Sequence, residues 1–252
     1  MSLQDIQFGD LRRTAPIADD YGFSRGLPID RYYIERFLRQ HAAAIHGTVA
    51  EFHDDGYTRA YGGARVTRAE VIDIVRDNPR ATICADLQDA PQIGSETFDC
   101  IICTQTLQYM YEVPRAIQTL HRILKPGGVV LVTLPGITQI GAGEAIPYWQ
   151  FTERSARRLF ADVFGDECLE VQPHGNVLSA IAFLHGLAVH ELHEAELDSF
   201  DRGYQLLITV KATRAATATS ARPTFWSRWR EKCGGMARGT RRLRSQTKRQ
   251  LV

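Results

Sequence analysis

Residues 98–135 read FDCIICTQTLQYMYEVPRAIQTLHRILKPGGVVLVTLP. An apolar run opens on Phe98-Asp99 and closes on the polar Thr104-Gln105, as a buried strand does where it leaves the core. A helical segment follows and ends at Ile123-Leu124-Lys125. Pro126-Gly127-Gly128 has the composition of a tight turn, and residues 129–133 form a second apolar run. Outward from this block the same alternation continues. Strands are expected near 48–52, 65–71, 81–85, 169–172 and 205–211. Helices are expected near 114–124, 152–164 and 177–189. Another begins at Pro28-Ile29-Asp30, with Asp30 as its cap and Ile34, Phe37, Leu38 and His41 on one face. Strands rich in Val and Ile that alternate with helices predict an α/β fold with a mostly parallel sheet covered by helices.

The 98–135 block resembles the later half of a class I S-adenosylmethionine-dependent methyltransferase core, in which LKPGG is the common link before the fifth strand. The resemblance covers roughly Asp30 to Lys211. It implies a Rossmann-like, doubly wound, mostly parallel seven-stranded sheet with helices on both faces, and S-adenosylmethionine as cofactor. Ligands of open α/β sheets bind at the carboxyl ends of the strands, so four sets of residues become candidates for cofactor contact.

After the first strand the family has an acid and then a glycine-rich turn that lets the backbone approach the methionine part of the cofactor. Glu51 fills the acidic position, while His53, Asp54 and Asp55 stand where glycine is usual. This departure resembles a type 11-like subgroup found beside glycosyltransferases, whose non-glycine turn continues into Tyr-Thr and Gly-Gly. Tyr57-Thr58 and Gly62-Gly63 match it. Glu70 falls 19 residues after Glu51 and is assigned to the end of the second strand, where an acid can accept from both ribose hydroxyls. Asp73 competes for that role. Asp86 and the backbone at Leu87 match the family's adenine-binding position, although Asp86 also suits a cap. Thr104 and Gln105 leave the fourth strand where cofactor and acceptor meet. A Gly-x-Gly-x-x-Gly turn is absent after the first strand, as is a phosphate-binding loop, which argues against a nicotinamide or nucleotide phosphate ligand.

Methyl transfer from a sulfonium needs the acceptor held in line and, for an alcohol, a base. His174, in the Pro-His-Gly-Asn loop, is the candidate base; His121 and His185 read as packing residues. Tyr148 and Trp149 precede Phe151-Thr152 in a YW-F-T piece similar to that subgroup's, and aromatic planes there suit a sugar ring or another flat acceptor. Tyr21, Arg25, Arg31 and Tyr33 are placed by the same topology to close over the mouth. The expected activity is O-methylation of a sugar, glycan or secondary metabolite. A non-catalytic binding protein on the same fold and a nucleic-acid methyltransferase are the competing readings.

The chain has 252 residues, of which 44% are hydrophobic, enough for one large domain. Its five cysteines do not form a disulfide framework. Cys100 and Cys103, three apart on one strand, point to opposite sheet faces and read as core rather than metal ligands. The net charge of +1 conceals an acidic body and a tail from Arg214 onward that carries 11 Lys/Arg against one acid. The expected organisation is an irregular leader, 1–27, a methyltransferase domain, 28–212, and a basic tail, 213–252. Phe225, Trp226 and Trp229 among arginines suit an anionic membrane surface; nucleic acid is a weaker fit, because the body is acidic. No signal-like or membrane-spanning run is legible, so a cytoplasmic protein with peripheral membrane contact is expected.

Overall fold

The computed structural model describes residues 9–141 and 146–216. The expectations for the basic tail beyond Ala216 lie outside the described residues. Seven strands run in chain order: β1 (Gly47–Phe52), β2 (Val66–Asp73), β3 (Ile83–Cys84), β4 (Phe98–Thr104), β5 (Leu124–Pro135), β6 (Leu169–His174) and β7 (Leu207–Thr213). They form one sheet in the order β3-β2-β1-β4-β5-β7-β6. The β1–β2, β1–β4, β2–β3 and β4–β5 pairs are parallel; β7 runs antiparallel to both β5 and β6.

Five helices join them: α1 (Ile29–Gln40), α2 (Val113–Ile123), α3 (Glu153–Phe164), α4 (Val177–Leu184) and α5 (Glu194–Asp198). Alternation along the strands divides the core. On one face Ala50, Ile101, Cys103, Val130 and Val132 pack with α2 and α3. On the other, Val49, Cys100, Ile102 and Leu131 pack with α1 and α4. Cys100 and Cys103 thus lie on opposite sides of the sheet, and burial pushes both thiols up to about 12. In α2, Val113, Ala116, Ile117, Leu120 and Ile123 are buried at helical spacing. Full burial stabilises by roughly 1.5–3 kcal/mol for each large aliphatic side chain.

Three local expectations change. Pro28, not Asp30, precedes the first turn of α1, and no side chain caps that helix. Pro126-Gly127-Gly128 is not a turn before a strand but a bulge inside β5, whose register against β4 shifts between Phe98 and Cys100. Gly127, at φ 80°, donates its N–H to the Arg214 carbonyl, and Arg214 N returns the bond to Gly128 O at 2.9 Å. The last strand extends through Thr213, past the expected domain edge at 212.

Asp99 ties the amino ends of three strands together. Its Oδ2 accepts from Thr48 N of β1 at 2.8 Å and from Lys125 Nζ of β5 at 2.7 Å. The carboxyl ends of β1, β2, β3 and β4 open into a cavity.

Candidate active site

The cavity, about 1090 Å³, lies at the topological switch between β1 and β4. Four parallel strands deliver their last residues, or the ones just after, to it: Glu51 and Phe52 from β1, Ile72 and Asp73 from β2, Ala85 and Asp86 after β3, Thr104 and Gln105 from β4. His53, Asp54, Tyr57, Leu87 and Tyr148 complete the group of expected residues that line it.

Glu51 is 3% exposed and shapes the turn after β1. Its two oxygens accept from Tyr57 N at 3.1 Å and Thr58 N at 2.7 Å. Burial raises its pKa to about 7 despite those donors. His53 has φ 72°, the left-handed conformation that glycine adopts without cost. The turn therefore keeps a glycine-like backbone without the glycine. Three contacts hold it: His53 N donates to Ile72 O at 3.1 Å, His53 Nδ1 lies 3.2 Å from Asp73 Oδ2, and Asn78 Nδ2 donates to His53 O at 2.7 Å. Gln105 is the second left-handed non-glycine in the lining, at φ 48°, and Thr133 anchors its N–H. Strain of this kind concentrates where backbone must approach a ligand.

The strand-end acid of β2 is Asp73, not Glu70. The strand runs three residues beyond Glu70. Glu70 is buried against Arg68 and Thr82 and does not line the cavity. Burial pulls the Asp73 carboxyl upward, but the donors of Val75, Asn78 and His53 outweigh it and hold the group below the usual carboxylate range. Asp86 accepts from Gln88 N at 2.9 Å in a turn that leads into no helix, so it is not the helix cap of its alternative reading, and it lines the cavity.

His174 stands elsewhere. It ends β6, stacks on Tyr33 with ring centroids 5.5 Å apart, and has Nε2 3.0 Å from Thr209 Oγ1. It lines a separate recess with Tyr33, Pro173 and Asp198. Burial, with Arg36 nearby, lowers its pKa to about 4. It is not placed to act as base in this cavity. Tyr148 lies at the mouth, whereas Trp149 donates Nε1 to Met110 O at 3.1 Å and tilts against Tyr111. Of the closing residues, Arg31 lines the cavity. Arg25 pairs instead with Glu191, and Tyr33 donates to Leu197 O. Phe23 and Glu35 were missed. They reach the cavity because α1 and the leader fold over β1, a long-range placement with no local signal.

The lining suits S-adenosylmethionine. Glu35, Glu51, Asp54, Asp73 and Asp86 face a single arginine, Arg31. That balance disfavours a pyrophosphate and favours a ligand with hydroxyl donors and cationic sulfonium and ammonium centres. Phe52, Ile72, Ile74, Ala85, Leu87 and Met110 supply apolar walls for a flat base.

Comparisons with known proteins find partial matches. Residues 56–132 match the family described as methyltransferase domain. A curated relative, the human mitochondrial arginine-hydroxylase NDUFAF5, is 27% identical over 128 residues, which cover 50% of this chain. The matched segment spans only 31% of that protein. Similar solved structures include the [4+2]-cyclase SpnF, at 14% identity and TM-score 0.47, covering 74% of this chain and 81% of that one. Phosphoethanolamine N-methyltransferase 2 of Haemonchus contortus, solved with S-adenosyl-L-methionine, has 14% identity and TM-score 0.47, covering 73% and 56%. Residues 56–132, from the turn after β1 into β5, are therefore similar to a methyltransferase domain. Among the described residues, no helix is long and apolar enough to cross a membrane.

Proposed function

We propose that the protein transfers a methyl group from S-adenosylmethionine to an oxygen of a small-molecule or glycan acceptor. The observation that carries this reading is the acid-lined cavity at the carboxyl ends of four parallel strands, open at a mouth that Tyr148 flanks. When bound, the cofactor supplies an electrophilic methyl group. Asp73 would accept from the ribose hydroxyls, and Asp86 with the backbone at Leu87 would meet the adenine. Glu51, His53, Asp54 and Tyr57, with Thr104 and Gln105, would surround the methionine end. The residues around the mouth hold the acceptor in line and exclude water, which is the greater part of what such an enzyme must add. Restriction to sugar or glycan acceptors rests on the subgroup likeness of residues 57–63 and 148–152.

Calorimetric titration with S-adenosylmethionine and S-adenosylhomocysteine tests the reading. Micromolar binding is expected. Asp73→Asn should weaken it about tenfold, because a charged hydrogen-bond acceptor is lost, whereas Glu70→Gln should change it little. Failure of the folded parent to bind either compound overturns the proposal.

A further inference from the structure

Helix α1 brings two opposite charges to the large cavity. Arg31 and Glu35 both line it and lie one turn apart on the helix. Opposite charges at that spacing commonly pair, but these two do not. Arg31 turns Nη1 to Asp30 Oδ2 at 3.0 Å and holds its guanidinium 5.8 Å from the centre of the Phe23 ring. Asp30 is 8% exposed, so the arginine has a buried anchor. The remaining N–H groups of the guanidinium meet no acceptor among the described residues, and the half-buried Glu35 carboxylate has neither a hydrogen-bond donor nor an ion-pair partner among them.

Both side chains stand beside the turn after β1. Burial pushes the Tyr57 phenol up to about 12; Arg31 pulls against that shift and Glu35 adds to it. Tyr57 N in turn donates to Glu51 Oε1 at 3.1 Å. The pair thus faces the strand end proposed for the methionine part of the cofactor. Charge then decides which group goes where. A carboxylate entering this cavity meets Glu35, Glu51, Asp54, Asp73 and Asp86 and finds one guanidinium. Hydrogen bonds between charged groups are shorter and stronger than neutral ones. The α-carboxylate and α-ammonium of an amino acid share one carbon, so a cation and an anion side by side on one helix answer both at once.

We infer that α1 is a clamp for the amino-acid end of the cofactor, Arg31 donating to its α-carboxylate and Glu35 accepting from its α-ammonium. The inference deepens the proposed methyl transfer and rests on it. The helix lies outside the matched residues 56–132.

Calorimetry on the full chain tests the clamp. The ligands are S-adenosylhomocysteine, its decarboxylated analogue and its deaminated analogue. The parent should bind each analogue at least tenfold more weakly than S-adenosylhomocysteine, the scale of one hydrogen bond to a charged group. Arg31→Gln should weaken S-adenosylhomocysteine about tenfold and leave the decarboxylated analogue unchanged. Glu35→Gln should weaken it to a similar degree and leave the deaminated analogue unchanged. Equal binding of all three ligands by the parent would overturn the inference. So would a variant that keeps full affinity for S-adenosylhomocysteine, or one that weakens it and the matching analogue alike. Arg31→Gln strips Asp30 of its cation; should that variant fail to fold, the parent series and Glu35→Gln, which removes no partner from the fold, still decide. A parent that binds neither S-adenosylmethionine nor S-adenosylhomocysteine defeats instead the reading on which the inference rests.

Discussion

Glu51 is buried and His174 half-buried, and their titrations pull stability in opposite directions. Glu51 binds its proton more tightly in the folded chain, with a pKa of about 7 against an ordinary 4.5. Its contribution is therefore full below about pH 4.5 and is lost as pH rises to about 7, an effect on the order of 3 kcal/mol. His174 is held neutral, at about 4 against 6.5. Its contribution is full above about pH 6.5 and is lost as pH falls toward 4. Between these limits the two slopes oppose each other and the parent should be nearly flat. His174→Gln should unmask a fall in unfolding free energy between pH 5 and pH 7, measured by urea denaturation. Adding Glu51→Gln should flatten it again; a slope that survives would assign the titration to another group. Residues of the site were legible where they close a strand locally, as Glu51, Asp86, Thr104 and Gln105 do. Glu70 was misassigned because an acid inside a strand and an acid at its end look alike when the strand's last two residues, Ile72 and Asp73, could belong to either strand or loop. His174 misled because a Pro-His-Gly-Asn string reads as exposed loop, while Tyr33, 141 positions earlier, covers it.

At the scale of elements, apolar runs bounded by polar exits located every strand, because a strand covered on both faces has little choice of residue. Connections were harder. The Lys-Pro-Gly-Gly bulge keeps its hydrogen bonds through a sequence that composition assigns to a turn, because Arg214, just past the end of β7, supplies a partner from far along the chain. The link between β5 and α3 depends on one glycine. A Cβ at Gly136 would collide with the Gln205 carbonyl, which is backbone and cannot swing aside. Gly136 N also donates to Leu206 O at 2.9 Å, and Ile137 N to Gln205 O at 2.8 Å, so the two segments are held in contact. Gly136→Ala should cost about 3 kcal/mol by overpacking, read as a lower denaturation midpoint. A loss under about 0.5 kcal/mol, the usual range for surface changes, would mean that the β5 end yields freely. Gly127→Ala, with open space around its Cβ, is the control and pays only for its left-handed backbone.

For the molecule as a whole, the last described residues are structural. Arg214 sends Nη1 to the carbonyls of His121, Arg122 and Leu124 and Nη2 to Glu96 at 2.7 Å, tying the end of α2 to the start of β5. A chain ending at Lys211 loses this clamp and the β5–β7 pairs at Ala212 and Thr213. It should unfold at a lower denaturant concentration than one ending at Ala216, by about 2 kcal/mol or more, since several buried carbonyl partners go together. Equal midpoints would show the clamp to be ornamental. The Asp99 bolt has a different consequence. Asp99 fixes β1, β4 and β5 at their amino ends, while at the cavity end the turns after β1 and β4 are held by separate contacts, His53 with Asp73 and Gln105 with Thr133. A variant that breaks the rim contacts can therefore disturb the ligand cavity without loosening the frame at the opposite end of the sheet.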